Sequence, residues 1–366
     1  MSIHPLNDFQ PTDVWYTVCP VPSAVSIALG RGEIQARFAN SPVNLRNVRT
    51  HEDRSVRESH YDQTQQNLFR EGGNIPPLWS RSEGKDVRVI GLSWVEHYAS
   101  LITLPGSNIR SPADLKGKRL GLINRPNDRI DFSRATQLRG YHVALKAGGI
   151  SPNDVTFVDL TYEKPLVGLP PETKALSSSA FGIIGVRERQ SVLIRALLEG
   201  TVDALYLTGA GAEVQSLTGA NVIFDAATSL DPSDRVSNLT PVTFTVKGEL
   251  LDAQPDIVTE YVAANLRSAK WARENPQDAA RYIARDTAIP EEAVELSYSP
   301  KVIHQLETSL DDDLIGHLKT QKEFLLEQGF LKADFSFNDF IDPKPLARAR
   351  ELVARELAAE TTKEVA

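Results

Sequence analysis

Cys19 is the single cysteine in a chain of 366 residues. It follows the β-rich run Val14-Trp15-Tyr16-Thr17-Val18 and precedes Pro20-Val21-Pro22-Ser23 and an apolar stretch opening at Ala24. That order predicts a strand, then the thiol, then a helix. Ligands of open α/β sheets bind at this carboxyl edge. The positive end of a helix dipole would favour the thiolate there. A thiol so placed can attack an electrophile or donate a proton. A lone cysteine is also compatible with a small buried apolar role. Thr17, on the same strand, is a candidate substrate-binding hydroxyl. A second group gathers downstream at His60, Arg70 and the pair Gly72-Gly73. Arg70 offers a planar, multi-donor fork suited to a compact oxyanion. The glycines would let backbone amides approach such an anion just before a helix start. Taken singly, each has a plainer reading: His60 solvated in a charged loop, Arg70 on the surface, the glycines in a turn.

Composition narrows the function classes. The length allows two domains. A hydrophobic share of 41% and a charged share of 24% fit a soluble globular chain. One cysteine excludes an internal disulfide framework and a cysteine-based zinc site. His51 and Asp53 lack partners at zinc spacing, and neither a metal nor an organic cofactor is expected. The net charge is −8 and no basic stripe is interleaved with aromatics, so nucleic acid is not an expected partner. No run approaches the length of a membrane span, and no membrane partner is expected. Residues 1–8 have neither a basic start nor an apolar core, so the sequence predicts no secretory leader and a cytoplasmic location.

The elements that must position these residues alternate regularly. Residues 24–29 predict a helix, and 34–38 a second strand. The polar stretch 40–72, with five arginines among its charges, reads as a loop or functional insert able to close over a ligand. A helix is expected from Pro76-Pro77 and a strand at 87–94, followed by 101–104. Ser111-Pro112-Ala113-Asp114-Leu115 reads as a capped short helix before a buried strand. A long helix over 135–147, strands at 155–160, 202–207, 221–224 and 241–246, and a helix at 189–199 follow. From Pro255 onward the chain reads as helical, including 257–272 and 314–327, with a polar surface helix at 347–366. This order predicts an α/β protein of two lobes. Residues 1–105 and 236–366 form the first and 106–235 the second, with the ligand cleft between them and crossings near 100–110 and 225–240.

Lesser signals remain. Thr208-Gly209-Ala210-Gly211-Ala212 fails the dinucleotide fingerprint, whose third glycine would fall at Val214, and reads as a strand-to-helix turn lining the cleft. Asp311-Asp312-Asp313 suits the start of a helix. One of Arg125, Arg129 and Arg134 could face the cleft, although solvated charges are the plainer reading.

Two family resemblances follow from motifs. Ser111-x-x-Asp114-Leu115-Lys116-Gly117-Lys118-x-x-Gly121 and Ala269-x-Trp271-x-x-Glu274-Asn275-Pro276 resemble phrases of the sulfonate- and nitrate-type solute-binding proteins. That likeness implies the type II periplasmic-binding-protein-like fold, for which a monomer is expected. Tyr16-x-x-Cys19-Pro20-Val21-Pro22-x-Ala24 is similar to the nucleophile segment of the aryl sulfinate desulfinases. His60, nine residues, Arg70, one residue, then Gly72-Gly73 and Ile75-Pro76-Pro77-Leu78 matches a second segment of that family. Thr320-Gln321-x-x-Phe324-Leu325-Leu326 matches a third. The resemblance implies a C–S hydrolase acting on a small organosulfur anion. Cys19 would be the reactive thiol, with His60 paired to it or protonating the leaving group. Arg70 would bind the sulfinate and the Gly73 amide help hold its oxygen. The family has a tryptophan in its second lobe beside the aromatic substrate. No tryptophan here lies between 106 and 235, which implies a different aryl pocket. A non-catalytic binding protein for sulfonate-type anions, serving an ABC transporter, is the alternative.

Overall fold

The computed structural model describes residues 12–165, 167 and 180–365. Residues 1–8, on which the expectation of no leader rests, lie outside them. The described strands are β1 (Thr12–Val18), β2 (Val43–Asn47), β3 (Leu68–Gly72), β4 (Val87–Ser93), β5 (Ala99–Thr103), β6 (Arg119–Asn124), β7 (Thr156–Thr161), β8 (Ala204–Thr208), β9 (Asn221–Asp225) and β10 (Val242–Lys247). They form two five-stranded sheets, ordered β2-β1-β3-β10-β4 and β7-β6-β8-β5-β9. Three neighbouring strands of each sheet run parallel, and the fourth in order, β10 or β5, runs antiparallel to its neighbours. Each lobe thus repeats one layout, and the odd strand of each is the one that follows a crossing.

The helices are α1 (Ala24–Gly30), α2 (Glu33–Phe38), α3 (Arg54–Asp62), α4 (Ile75–Ser82), α5 (Phe132–Ala147), α6 (Ala180–Leu198), α7 (Gly211–Thr218), α8 (Gly248–Ala253), α9 (Pro255–Glu274), α10 (Pro276–Thr287), α11 (Val294–Tyr298), α12 (Asp312–Glu327) and α13 (Lys344–Val365). α9 lays Ile257, Val258, Tyr261 and Val262 on the first sheet, and the Tyr261 ring stacks on Phe69 at 4.0 Å. α13 covers this layer with the stripe Leu346, Ala349 and Leu352, so the expected surface helix has one buried face. Each buried Leu, Ile or Val side chain here contributes about 1.5–3 kcal/mol.

Three expectations change. The segment expected as a second strand is α2, and the strand comes later as β2. Ile34, Ala36 and Phe38 alternate as a strand would. Ile34 and Phe38 are also four apart, and only these two are buried while Ala36 is exposed, which is the helical solution. The stretch 40–72 is regular structure: β2, a 3₁₀ turn at Val48–Thr50, α3 and β3. Its arginines mislead because Arg49, Arg57 and Arg70 are inside the protein. Arg57, for instance, donates to the carbonyls of His51 and Glu52 at 2.7 and 2.6 Å. Finally, the first crossing lies at 94–98, between β4 and β5, so the lobe boundary precedes residue 105. The return lies between β9 and β10, at 226–241.

Candidate active site

The site grows out of β1 and β3, which run parallel with Thr17 level with Arg70 and Val18 level with Glu71. Side chains alternate along a strand. Phe69 faces α9, so Arg70 faces the other way, toward α3. Likewise Val14, Tyr16 and Val18 join the core under α9, while Trp15 packs with Val48 and Leu68. Thr17 and Arg70 are thereby delivered side by side beneath α3. That helix is opened by Asp53, whose carboxylate accepts the Ser55 amide at 2.8 Å, and ends at Gln63 with a left-handed φ of 49°. His60, in its last turn, is laid over the pair.

The three sequence candidates meet. His60 Nε2 lies 3.4 Å from Cys19 Sγ, and its Nδ1 lies 2.6 Å from Thr17 Oγ1. Arg70 donates from Nη2 to Cys19 Sγ at 3.2 Å, from Nε to the His60 carbonyl at 2.8 Å and from Nη1 to the Gly73 carbonyl at 2.9 Å. Thr17, His60 and Arg70 are buried and Cys19 is half-buried. The Cys19 amide continues the β1–β3 ladder by donating to the Glu71 carbonyl at 2.9 Å. The Val21 amide turns back onto the Cys19 carbonyl at 2.8 Å, so the backbone on both sides of the thiol is pinned.

Two expectations about this backbone are revised. The first amides of α1 do not reach the thiol: Ser26 N donates to Ser23 Oγ at 3.1 Å and Val25 N to Glu71 Oε2 at 2.9 Å. The cation on Cys19 is Arg70, not a helix terminus. Glu71 sits beneath the site, and burial pushes its carboxyl up to about 7. The glycine pair has a packing reason. A Cβ on Gly72, whose φ is +154°, would stand 2.2 Å from Cys19 Sγ. A Cβ on Gly73 would stand 2.5 Å from the Asn238 amide, which accepts the Ile75 amide at 3.0 Å and so fixes the start of α4. Neither glycine nor Thr17 lines the cavity described below. Contact of their groups with a substrate stays a proposal.

Burial, with Arg49 and Arg70 adding, holds the His60 imidazole well below its ordinary 6.5. It is neutral at neutral pH, and Thr17 governs which nitrogen carries the proton. With Nδ1–H donating to Thr17 Oγ1, Nε2 presents a lone pair to the thiol and can accept its proton. With Thr17 as donor, Nε2–H points at sulfur instead. Thr17→Val removes this control at nearly constant volume. We expect kcat to fall about 10- to 100-fold, with a loss of about 1–3 kcal/mol in stability from the His60 Nδ1 left unpaired; an unchanged kcat would show that Thr17 does not set the imidazole. The pH dependence follows from the same burial. Unfolded, His60 takes up a proton below about 6.5. Folded, it does so only at lower pH, so the histidine contribution to stability is present above 6.5 and is lost as pH falls below it. The acid limb of kcat/KM should accordingly lie below 6.5, and a limb at or above that value in a pH series would contradict a neutral His60.

Cys19, Arg49, His60 and Arg70 open into a cavity of about 190 Å³ between the lobes. Its far wall comes from the second lobe, with Phe132, Ser133, Arg189 and Tyr206 among its residues, and the Thr208–Gly211 turn lies along it as the sequence suggests. Tyr61 lines it too, stacked on Phe132 with ring centroids 5.7 Å apart. Arg125, Arg129 and Arg134 do not line it; they pair with Asp128, Glu58 and Asp159. Sequence reasoning passed over Arg49, which donates to the Val18 carbonyl at 2.6 Å, and Arg189. Neither stands in a motif; Arg49 was one of several charges in an apparent loop. Gln321, of the third motif, is buried in α12 beside the Phe324 and Leu325 core, away from the cavity. Among the described residues no group of three or more His, Cys, Asp or Glu side chains could hold a metal ion, and no helix is long and apolar enough to cross a membrane.

Comparison with known proteins fits this layout. A family profile described as NMT1/THI5 like matches residues 76–167. The periplasmic aliphatic sulphonate binding protein SsuA from Escherichia coli superposes with a TM-score of 0.62 at 14% identity, over 91% of this chain and 98% of that one. The fold is the two-lobed type II periplasmic-binding type. A cysteine-to-serine variant of the enzyme DszB, in complex with biphenyl-2-sulfinic acid, has the same type II fold with a TM-score of 0.74 at 22% identity, over 93% of this chain and 99% of that one. The desulfurization enzyme DszB itself gives 0.73 at 23% identity over the same shares. No curated protein sequence matches the chain. Likeness at these identities establishes the type II fold, and function has to be argued from the site.

Proposed function

We propose that this protein is a desulfinase that hydrolyses the C–S bond of an aromatic sulfinate and releases sulfite. The observation that carries this reading is the Cys19 sulfur, 3.4 Å from His60 Nε2 and 3.2 Å from Arg70 Nη2, at the wall of a cavity with aromatic lining. A sulfinate is a compact anion on an apolar group. Its oxygens suit Arg70 and Arg49 on the first lobe, and its ring suits Tyr61, Phe132, Tyr206 and Leu239. Similarity to DszB, solved with biphenyl-2-sulfinic acid in a variant lacking one cysteine, supports the same substrate class.

The net reaction takes one water: the ring carbon gains a proton and the sulfinate sulfur gains a hydroxyl, giving an arene and hydrogen sulfite. Cys19 can serve it in two ways. As a thiolate, after His60 has taken its proton, it attacks sulfur; the C–S bond breaks, the carbon receives the proton from His60, and water resolves the Cys19–SO2 adduct. As a thiol it protonates the ring carbon directly; the C–S bond electrons end in the new C–H bond, sulfur dioxide departs, and the water that captures it as hydrogen sulfite gives up a proton that restores the Cys19 thiol. Neither route calls on a metal or organic cofactor.

The test is sulfite release from a panel of aryl and alkyl sulfinates, with Cys19→Ser as control. Thiol-dependent sulfite from aryl members supports the proposal. Absence of sulfite, together with tight calorimetric binding of a sulfonate, would move the protein to the anion-binding class that shares its fold.

A further inference from the structure

The cavity holds more positive charge than one sulfinate requires. Arg49 and Arg70 line it from the first lobe and Arg189 from the second, against one carboxylate among the described lining residues, Glu213. Arg189 donates from Nη1 to Ser133 Oγ at 2.7 Å. Among the described residues no carboxylate lies within ion-pair distance of it. The carboxylates nearest in sequence to Ser133 are already committed. Asp128 pairs with Arg125, and Asp131 accepts the backbone amides of Arg125 at 2.7 Å and Arg134 at 2.9 Å. Two further polar side chains of that wall are committed too. Gln137 accepts from the Ile123 amide at 2.8 Å and donates to the Tyr206 carbonyl at 3.1 Å, while Thr136 donates to the Phe132 carbonyl at 2.7 Å. Burial, with the nearby Arg125 cation adding, pushes the Arg189 guanidinium down to about 10, as expected for a cation short of a counter-charge.

We infer that Arg189 and Ser133 form a second anion subsite on the second lobe, and that the substrate carries a carboxylate on the organic group beyond its sulfinate. This rests on the desulfinase reading of the cavity. The fork of Arg189 can present two parallel N–H groups to a carboxylate. Ser133, accepting from Arg189, keeps its own hydroxyl proton to donate to the same group. The sulfinate would bind on the Arg70 side and the carboxylate on the Arg189 side, so one dianion would bridge both lobes across the aromatic wall of Tyr61 and Phe132.

The experiment compares biphenyl-2-sulfinate with 2′-carboxybiphenyl-2-sulfinate, by sulfite release, in the wild type, Arg189→Met and Ser133→Ala. The wild type should favour the carboxylated substrate by about tenfold or more in kcat/KM, as a charge-assisted hydrogen bond allows. Arg189→Met should bring that ratio close to one, and Ser133→Ala should reduce it even if the arginine variant does not fold. Equal use of the two substrates by the wild type would overturn the inference. So would a variant that slows both substrates equally, since Arg189 would then hold the shared sulfinate. If the wild type releases sulfite from neither, the desulfinase reading fails by itself. The subsite is then decided by calorimetry with the matching pair of sulfonates: tighter binding of the carboxylated one, lost in Arg189→Met, supports it, and equal or absent binding overturns it.

Discussion

Cys19→Ala should lower sulfite release from an aryl sulfinate at least about 1000-fold, the scale on which removal of a nucleophile or its partner acts. Its thermal unfolding should stay close to that of the wild type. The side chain is half-buried at the cavity wall and packs only in part against the apolar cluster of Val21, Ala24 and Ile27, so its loss should cost about 1 kcal/mol. The main chain at Cys19 is held by its own amide on Glu71 and its own carbonyl on Val21, which the substitution leaves in place. Cys19→Ser should be equally silent. A serine hydroxyl is a weaker acid than the thiol and a weaker nucleophile at neutral pH, so it fails on both chemical routes. The routes separate in the wild type. Covalent attack predicts a protein adduct heavier by one SO2 when turnover is quenched, assigned to Cys19 by peptide mass. Direct protonation predicts no adduct and a primary solvent isotope effect on the chemical step. Substantial turnover by Cys19→Ala would remove both routes.

Why the thiol could be placed from sequence, and its surroundings could not, has a physical basis. A strand followed by Cys-Pro-Val-Pro and an apolar helix is a local pattern, and the strand and helix form where it predicts. His60 and Arg70 were legible through the resemblance of their segment to that of the aryl sulfinate desulfinases, and they meet because α3 and β3 are joined by a short connection that keeps residues close in sequence close in space. The glycines' reason was not legible: that Gly72 must yield space to a sulfur from another strand is a long-range fact. Thr17 could be named but its place beside Arg70 could not, because β1 and β3 register is set by pairing and not by composition. Arg49 and Arg189 carry no local signature at all. They are ordinary arginines in polar contexts until the fold buries Arg49 against the Val18 carbonyl and brings Arg189 to the cavity. The same ambiguity hid α3: a stretch with five arginines reads as solvated, yet here three of them satisfy buried carbonyls. The repeated order of the sheets was legible only as strand–helix alternation, since the antiparallel strand of each sheet comes from a chain crossing.

Arg70 carries the second large effect, and the structure alters what its replacement should do. Read from sequence alone, Arg70→Ala would chiefly weaken binding of the anion. In the fold the guanidinium is 1% exposed and holds three acceptors at once, the His60 carbonyl, the Gly73 carbonyl and the Cys19 sulfur. It therefore braces the end of α3, the turn into α4 and the thiol together. Arg70→Lys keeps the charge but offers a single nitrogen, which cannot reach three separated acceptors. At least one buried carbonyl would then go unpaired, at about 1–3 kcal/mol each. We expect Arg70→Lys to unfold at lower temperature than the wild type and Arg70→Ala lower still. Both should lose about 100-fold or more in kcat/KM, as removal of an oxyanion donor does. The loss should fall on kcat as well as KM, because His60 and Cys19 lose their mutual alignment when the brace goes. A raised KM with unchanged kcat and unchanged unfolding would show that Arg70 only binds the anion. Unfolding shifted with full kcat/KM would show the reverse, a brace with no part in the chemistry. Only the combined loss fits a guanidinium that is both the floor of the site and its anion donor.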